Sequence, residues 1–368
     1  MAQREITLSI PTLLTLTGAG LLLVLLWQLR WLLVVLMIAI VIAATLAPAI
    51  ARAERLKIPR WLAVILIYLA LIGGLVLAGL VIGPTVAEQI QRLGRKLPSY
   101  LDILESLVRD RAIQLGLNDP IVLEQINQFF DIQALTSWGF RTSQELLIRS
   151  YSLTRGFIGG SLSLLLALVL SGYLLSGGDR LISGFVTLFP TPWDQRLAAQ
   201  FHPMGQRMGN YIQGRILVSA ILGIVISIAL RLMGLTEVAL GLGVIAGFTN
   251  LIPFFGPVLG AIPALLVAIG QGGWLFLWVL LLFVIVQNVE TYVLDPLLVG
   301  NTVQVLPIYQ LLAVLGGTQV LGIVGAIIVP PWVAGAGVLL ENLYLGPKRG
   351  PVDLLPPPLT TPQEPELE

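Results

Sequence analysis

Residues 238–289 read VALGLGVIAGFTNLIPFFGPVLGAIPALLVAIGQGGWLFLWVLLLFVIVQNV, 52 residues without an Asp, Glu, Lys or Arg. A second uncharged run, Pro296 to Leu340, adds 45 more. No water-soluble domain presents so much unbroken apolar sequence, whereas a bilayer accepts it, because about 20 apolar residues cross its hydrocarbon core. Both runs also carry Asn250, Pro253, Pro257, Pro263, Gln287, Asn288, Pro307 and Gln310 among many glycines. A plain lipid-facing helix needs none of these. Only Glu290 and Asp295 among charged residues lie between the runs. The stretch therefore defines an all-α, polytopic transmembrane protein whose C-terminal half does more than anchor it.

The composition agrees. Hydrophobic residues make up 56% and charged residues 11% of the chain, against roughly 25% charged in a soluble domain. A net charge of +1 supplies no basic field for nucleic acid. Cysteine is absent and His202 is the sole histidine. Thiolate nucleophiles therefore lack their side chain. Zinc chemistry and a Ser-His-Asp triad, which rely on imidazole or sulfur groups, are close to excluded, and no acid–base dyad marks an intramembrane hydrolase. No cofactor is expected. The G-x-x-x-x-G-K-[ST] nucleotide loop is missing too, which argues against an ATP-driven pump within this chain.

Working outward, the uncharged runs place spans at Ile6–Leu29, Trp31–Ala51, Trp61–Ala87, Gly156–Gly178 and Ile216–Leu235. Between them, residues 84–150 hold 15 of the 41 charged residues. There Ile90, Leu93, Leu97, Leu101, Leu104 and Val108 recur at helical spacing, the mark of an amphipathic helix. A second amphipathic stretch is expected over roughly Ile121 to Ile148. The insert reads either as a hairpin packed on itself or the bilayer surface, or as a subunit contact or pore cap. Five segments result: helices 1–3 in 1–83, an extracytoplasmic insert in 84–150, a span and interfacial helix in 151–210, a transport region in 211–345, and a Pro-rich disordered tail in 346–368. Arg52, Arg55, Lys57 and Arg60 put the loop at 52–60 on the cytoplasmic side. Both termini then face the cytoplasm, and an odd number of passages must follow Leu235.

The unusual backbone lies in 238–271. Gly241, Gly243, Gly247, Pro253, Gly256, Pro257, Gly260 and Pro263 interrupt any straight helix. Unpaired backbone groups in lipid cost several kcal/mol each. The segment around Asn250-Leu-Ile-Pro253-Phe-Phe255-Gly256-Pro257 is thus expected as a discontinuous helix or the tip of a re-entrant hairpin lining a cavity. Such elements hold substrate and ions in transporters. Gly256-Pro-Val-Leu-Gly260-Ala-Ile-Pro263 is echoed by Gly322-Ile-Val-Gly325-Ala-Ile-Ile-Val-Pro330. Either an internal repeat or the convergent use of small residues at helix contacts accounts for the echo. Between the two strings, Gln287, Asn288, Glu290 and Asp295 sit near a break at Pro296. Glu290, an acid at depth, is read as facing a cavity and serving protons or ions. For Asp295 the simpler reading is an ordinary surface acid. Pro307, Gln310, Gly316 and Gly317 complete the candidate pathway.

From Tyr211 onward the order of motifs resembles the autoinducer-2 exporter family. The matching pieces are Gly214-Arg215, Asn250-Leu-Ile-Pro253-Phe-Phe-Gly256-Pro257, Gln287-Asn-Val-Glu290, Pro296-Leu-Leu-Val-Gly300, Leu306-Pro307, Gly316-Gly317, Gly322-Ile-Val-Gly325 and Val329-Pro330. The resemblance implies a multi-pass bacterial inner-membrane protein of about eight spans, assembled as a homo-oligomer, with pentamers in the family. It implies export of autoinducer-2 or, in some members, exchange of sodium or lithium for protons. A polar, oxygen-rich solute would use Asn250, Gln287 and Gln310. A cation antiporter would use Glu290, Asp295 and carbonyls near Pro253 and Pro257. A secondary exporter, an antiporter and a non-transporting membrane scaffold are the three functions carried forward. Partners are then the lipid bilayer, a small polar solute, and H+ or Na+.

Overall fold

The structure, a computed structural model, describes residues 30–114, 150–299 and 307–345 with some positions between 17 and 29. Side chains of the helix that begins at Ser150 are described from Leu162. Most of the first expected span, the second amphipathic stretch and the Pro-rich tail lie outside the described residues. Within them every regular element is helical. The elements are α1 (Arg30–Arg55), α2 (Arg60–Gln114), α3 (Ser150–Val186), α4 (Trp193–Leu232), α5 (Ala239–Thr249), α6 (Phe255–Gln271), α7 (Gly273–Val289) and α8 (Pro307–Leu339). Wider, π-helical turns continue α7 over Glu290–Val299 and α8 over Leu340–Leu345. Among the described residues, six helices are long and apolar enough by length and composition to cross a membrane; α5 and α6 are shorter apolar helices. The protein is a polytopic helical membrane protein.

Two compact units divide the chain, residues 1–67 with 133–177, and residues 68–132 with 178–368. In the first, Val35 and Ala39 of α1 pack against Ala167 of α3. Lipid tails are as apolar as leucine, so close van der Waals packing and hydrogen bonds, not hydrophobicity, join helices here. The bonds are Trp31 Nε1 donating to Ser163 Oγ at 3.2 Å and Arg60 Nε donating to the Leu175 carbonyl at 2.7 Å. A kink at Gly177 ends this part of α3.

The second unit is built around α4. Asp194 in its first turn and Arg231 in its last complement the helix dipole, and Gly234, with φ +95°, reverses the chain after it. The short α5 then runs back along α4. Backbones meet directly: a Cβ on Gly247 would lie 2.9 Å from the Ser219 carbonyl oxygen, and one on Gly243 would collide with Ser227. Only glycine permits that approach.

With 11 residues, α5 is about 16 Å long, half a hydrocarbon core. The chain turns at residues 250–254, where Phe254 takes φ +67°. Local bonds satisfy much of the turn, Ile252 N–H to the Thr249 carbonyl and Gly256 N–H to the Ile252 carbonyl, both at 2.9 Å. α6 then returns beside α5. The expected hairpin tip is therefore present, at Asn250–Phe254. Gly272, with φ +135°, makes the next reversal, into α7.

α8 is itself a hairpin. Gly322 has φ +63° and ψ −147°, and a Cβ on Gly317 or Gly325 would collide with the other's carbonyl. Residues eight apart in an unbroken helix lie about 12 Å apart along its axis, so arms 307–321 and 323–339 fold back on each other. The two echoed strings thus begin at or just after the tips of two hairpins, where small residues let the arms touch.

These hairpins attach to opposite ends of α4. The first lies by the α4 C-terminus, where the Gly241 N–H donates to Gln89 Oε1 at 2.7 Å and Lys96 pairs with Glu237 at 3.0 Å. Gly270, at the other arm's end, packs against the Tyr100 ring. Gln89, Leu93, Lys96 and Tyr100 form one stripe of α2, which runs on as a helix through Gly83 and Pro84. The second hairpin lies by the N-terminal half. There Arg207 grips Glu341 through Nη1 at 3.0 Å and Nη2 at 2.9 Å, and Gln310 Nε2 donates to the Tyr211 hydroxyl at 2.9 Å. From Arg207 to Leu232 the helix rises roughly 37 Å, a little more than a bilayer core.

Candidate functional site

Three elements of the second unit converge on one ion pair. Arg215 of α4 reaches Glu290, at the end of α7, through Nη1–Oε1 at 2.9 Å. The side chains are 6% and 3% exposed. From the tip of the first hairpin, Asn250 Nδ2 donates to the same Glu290 Oε1 at 3.0 Å. Asp295 Oδ1 stands 3.6 Å from Arg215 Nη1, with its side chain 40% exposed. Two carboxylates therefore share one guanidinium.

Local backbone explains how they do so. Residues five apart on an α-helix point about 140° away from each other around the axis. The i→i+5 pattern of a π-helix instead stacks them, and Glu290–Val299 is such a stretch. Gly214 lets that stretch approach α4, since a Cβ there would lie 2.6 Å from the Leu298 carbonyl oxygen. Gly214 and Arg215 thus do separate work: one admits the backbone, the other supplies the charge.

Hydrogen bonding around the pair is incomplete. Arg215 Nε, Ser219 Oγ, Asn250 Oδ1, Gln287 Oε1 and Asp295 Oδ1 are buried and have no hydrogen-bond partner among the described residues. Native proteins leave few such atoms, so this group of unpartnered polar atoms beside one ion pair is a candidate place for a further polar group. Asn250, Gln287 and Glu290 line a narrow cleft of about 20 Å³ together with Leu222, Pro257 and Phe283, enough for one water-sized occupant. Three of the five unpartnered atoms are amide or carboxylate oxygens that only accept; Ser219 Oγ both donates and accepts, and Arg215 Nε donates.

The candidates named from sequence distribute as follows. Asn250, Pro257, Gln287 and Glu290 meet at the cleft, with Asp295 joined through Arg215. Pro253 and Gly256 are buried in the turn, Gly256 against Thr249 and Asn250. Phe255 is 41% exposed, and Asn288 turns its amide back to the Val284 carbonyl at 2.7 Å. Pro307, Gln310, Gly316 and Gly317 belong to the second hairpin, where Gln310 bonds to Tyr211, one helical turn from Arg215. Two contributors went unmarked in sequence as site groups. Arg215 sits among other basic residues at a span boundary, and Ser219 is an unremarkable serine one turn further on.

A helical membrane protein with a charged centre at the tip of a broken helix and a second hairpin at the opposite end has the build of a membrane transporter. The chain belongs to the AI-2E transporter family, whose profile, described as AI-2E family transporter, matches residues 16–344. It is 27% identical over 295 residues to "Putative transport protein YueF" of Bacillus subtilis, covering 80% of this chain and 79% of that one. Over 153 residues it is 38% identical to YrrI of the same organism, covering 42% and 43% of the two chains. It is 27% identical over 290 residues to sll0060 of Synechocystis, covering 77% and 79%. YrrI and sll0060 carry the same designation as YueF.

Proposed function

We propose that this protein is a secondary transporter of the bacterial inner membrane that exports a small, hydroxylated polar solute of the autoinducer-2 type. The observation that carries the reading is the meeting of Asn250 with the buried Arg215–Glu290 pair at the first hairpin's tip. The unpartnered oxygens of Asn250, Gln287 and Ser219 ask for hydroxyl donors, and Arg215 Nε asks for an acceptor. A hydroxylated solute supplies both. The cleft in this conformation admits only a water-sized group, so a solute enters when the hairpins part, as alternating access requires. Proteoliposomes of the purified protein, loaded with autoinducer-2, test the reading: protein-dependent, saturable efflux supports it. Efflux no faster than from protein-free liposomes would sink it.

A second reading rests on a different feature of the same centre. Two carboxylates against one guanidinium leave an excess negative charge, and oxygen ligands suit alkali cations. A monovalent cation/proton antiporter would use them. Sodium or lithium added to proteoliposomes would then dissipate a preset pH gradient in the absence of any organic solute.

A further inference from the structure

We infer that Asp295, and not Glu290, is the group that takes up and releases the coupling proton, with Arg215 as the positioning cation that moves between the two carboxylates. The inference rests on the secondary-transport reading and assigns its energy-coupling step to a residue.

Glu290 is fixed. One of its oxygens receives both Arg215 at 2.9 Å and Asn250 at 3.0 Å, and its side chain is 3% exposed. Protonating it would set a neutral acid against a buried guanidinium, the costly half of a broken ion pair. Asp295 is different in each respect. Its Oδ1 lies 3.6 Å from Nη1, beyond hydrogen-bond reach, receives no bond from any described residue, and belongs to a side chain 40% exposed. Arg215 already has its charge matched by Glu290. The negative charge of Asp295 is therefore the surplus one.

The guanidinium is also free to shift. Arg207, two turns away on the same helix, forms a fork with two bonds to Glu341 at the end of α8. Arg215 meets both of its carboxylates through Nη1 alone, while its buried Nε has no acceptor. Such a one-point attachment lets the planar group rotate toward Asp295 without leaving Glu290's side of the helix. Asn250 Oδ1, in a residue 2% exposed, stands unpartnered beside the pair, so the hairpin tip has a polar atom to offer whatever the rearrangement presents.

The charged and titratable neighbours are few. From α4 come Arg215 and the buried Tyr211, whose hydroxyl accepts from Gln310 of the second hairpin. From α7 and its continuation come Glu290 and Tyr292, the latter 75% exposed. The hairpin tip adds only the neutral Asn250. Arg207 and Glu341 neutralise each other. Nothing else described competes for the surplus charge. The step is then simple: hydronium gives its proton to a carboxylate oxygen of Asp295, leaving water and a neutral acid, and the centre goes from one net negative charge to none. Release to water on the other side reverses the bond and the charge.

The test uses purified full-length protein in proteoliposomes, with a trapped pH dye and labelled autoinducer-2 as the probe. In Asp295→Asn, proton movement and gradient-driven accumulation fall to the level of protein-free liposomes, and whatever exchange of labelled for unlabelled solute the variant performs no longer changes with pH. Asp295→Glu restores proton movement. Monodisperse size-exclusion profiles establish that both variants fold. The inference fails if Asp295→Asn still accumulates solute against a gradient, or if the wild type moves solute without protons. Absence of any solute flux in the wild type overturns the transport reading and this inference with it.

Discussion

Arg215 and Glu290 lie 75 residues apart and meet through a single 2.9 Å contact inside a sheath of apolar helices. Nothing near either residue in the chain requires the other. The pair costs desolvation energy that a pair of hydrophobic side chains would not, so stability alone does not account for it. Its position does: it joins α4, the first hairpin's tip and the π-helical end of α7 at one point.

Removing either partner leaves a buried charge unmatched, at about 3–5 kcal/mol. Arg215→Met and Glu290→Met should each lower the unfolding temperature in detergent sharply. The double variant should recover most of that loss, because an apolar pair replaces an ionic one, yet transport nothing. A double variant as unstable as the singles would show that packing, not charge pairing, governs the position.

Asn250→Ala removes one hydrogen bond to a charged group, worth about 1.5–3 kcal/mol, and frees the hairpin tip from Glu290. A weaker apparent affinity for the solute, with a folded protein, is expected from concentration-dependent efflux. Asn250→Asp should be worse, since it places a third carboxylate against one guanidinium. Equal behaviour of the two variants would remove the electrostatic argument.

How much of this was legible in the sequence follows from the range over which each signal acts. Uncharged runs are local, so the spans could be read directly, and Pro253 with its glycines announced the turn that forms at 250–254. Glu290 stood out as one of only two acids between the apolar runs. The third span was placed at Trp61–Ala87, yet α2 runs on as a helix well past it and through Gly83 and Pro84, because proline removes only one helix bond and the stripe Gln89, Lys96 and Tyr100 beyond it docks on Gly241, Glu237 and Gly270. Arg215 was invisible as a site residue. Its meaning comes from Gly214 admitting the Leu298 backbone and from a π-helical stretch that puts Glu290 and Asp295 on one side, and neither has a local signature.

The Gly322 turn offers a cleaner backbone test. Its φ of +63° with ψ of −147° is a region open essentially to glycine, and forcing an L-residue there costs of order 1–3 kcal/mol. A Cβ at this position meets nothing within 4 Å, so Gly322→Ala isolates conformational strain from crowding. Thermal unfolding should detect it. Gly316→Ala, in the adjoining arm and also unobstructed, should be neutral or slightly stabilising.

The tie between α2 and the α4–α5 link should respond to pH. The Lys96 ammonium holds the Glu237 carboxyl below the usual glutamate range, first by hydrogen bonding and then by charge, and Glu237 raises Lys96 in the same order. A lowered carboxyl contributes above the ordinary glutamate range and loses its contribution as pH falls through the lowered value. A raised ammonium contributes below the ordinary lysine range and loses its contribution as pH rises through the raised value. At neutral pH both are in place. Amide exchange over 234–241, corrected for intrinsic rate, should therefore quicken in acid and in high salt. In Lys96→Glu it should be fast at neutrality.

The opposed hairpins make the sharpest geometric prediction, and the chain's lack of cysteine makes it easy to measure. The first hairpin attaches beside Glu237 and the second beside Glu341, ends of α4 separated by roughly 37 Å of helix. Thr236→Cys, next to the first base, and Tyr344→Cys, next to the second, should react with a membrane-impermeant thiol reagent from opposite faces of sealed vesicles. The basic loop at 52–60 is expected on the cytoplasmic side, so Lys57→Cys tests independently which face is the inner one. If Thr236→Cys and Tyr344→Cys are labelled from the same side, α4 does not cross the bilayer between them. The two hairpins would then enter from one face, and access to the Arg215–Glu290 centre could not alternate between them.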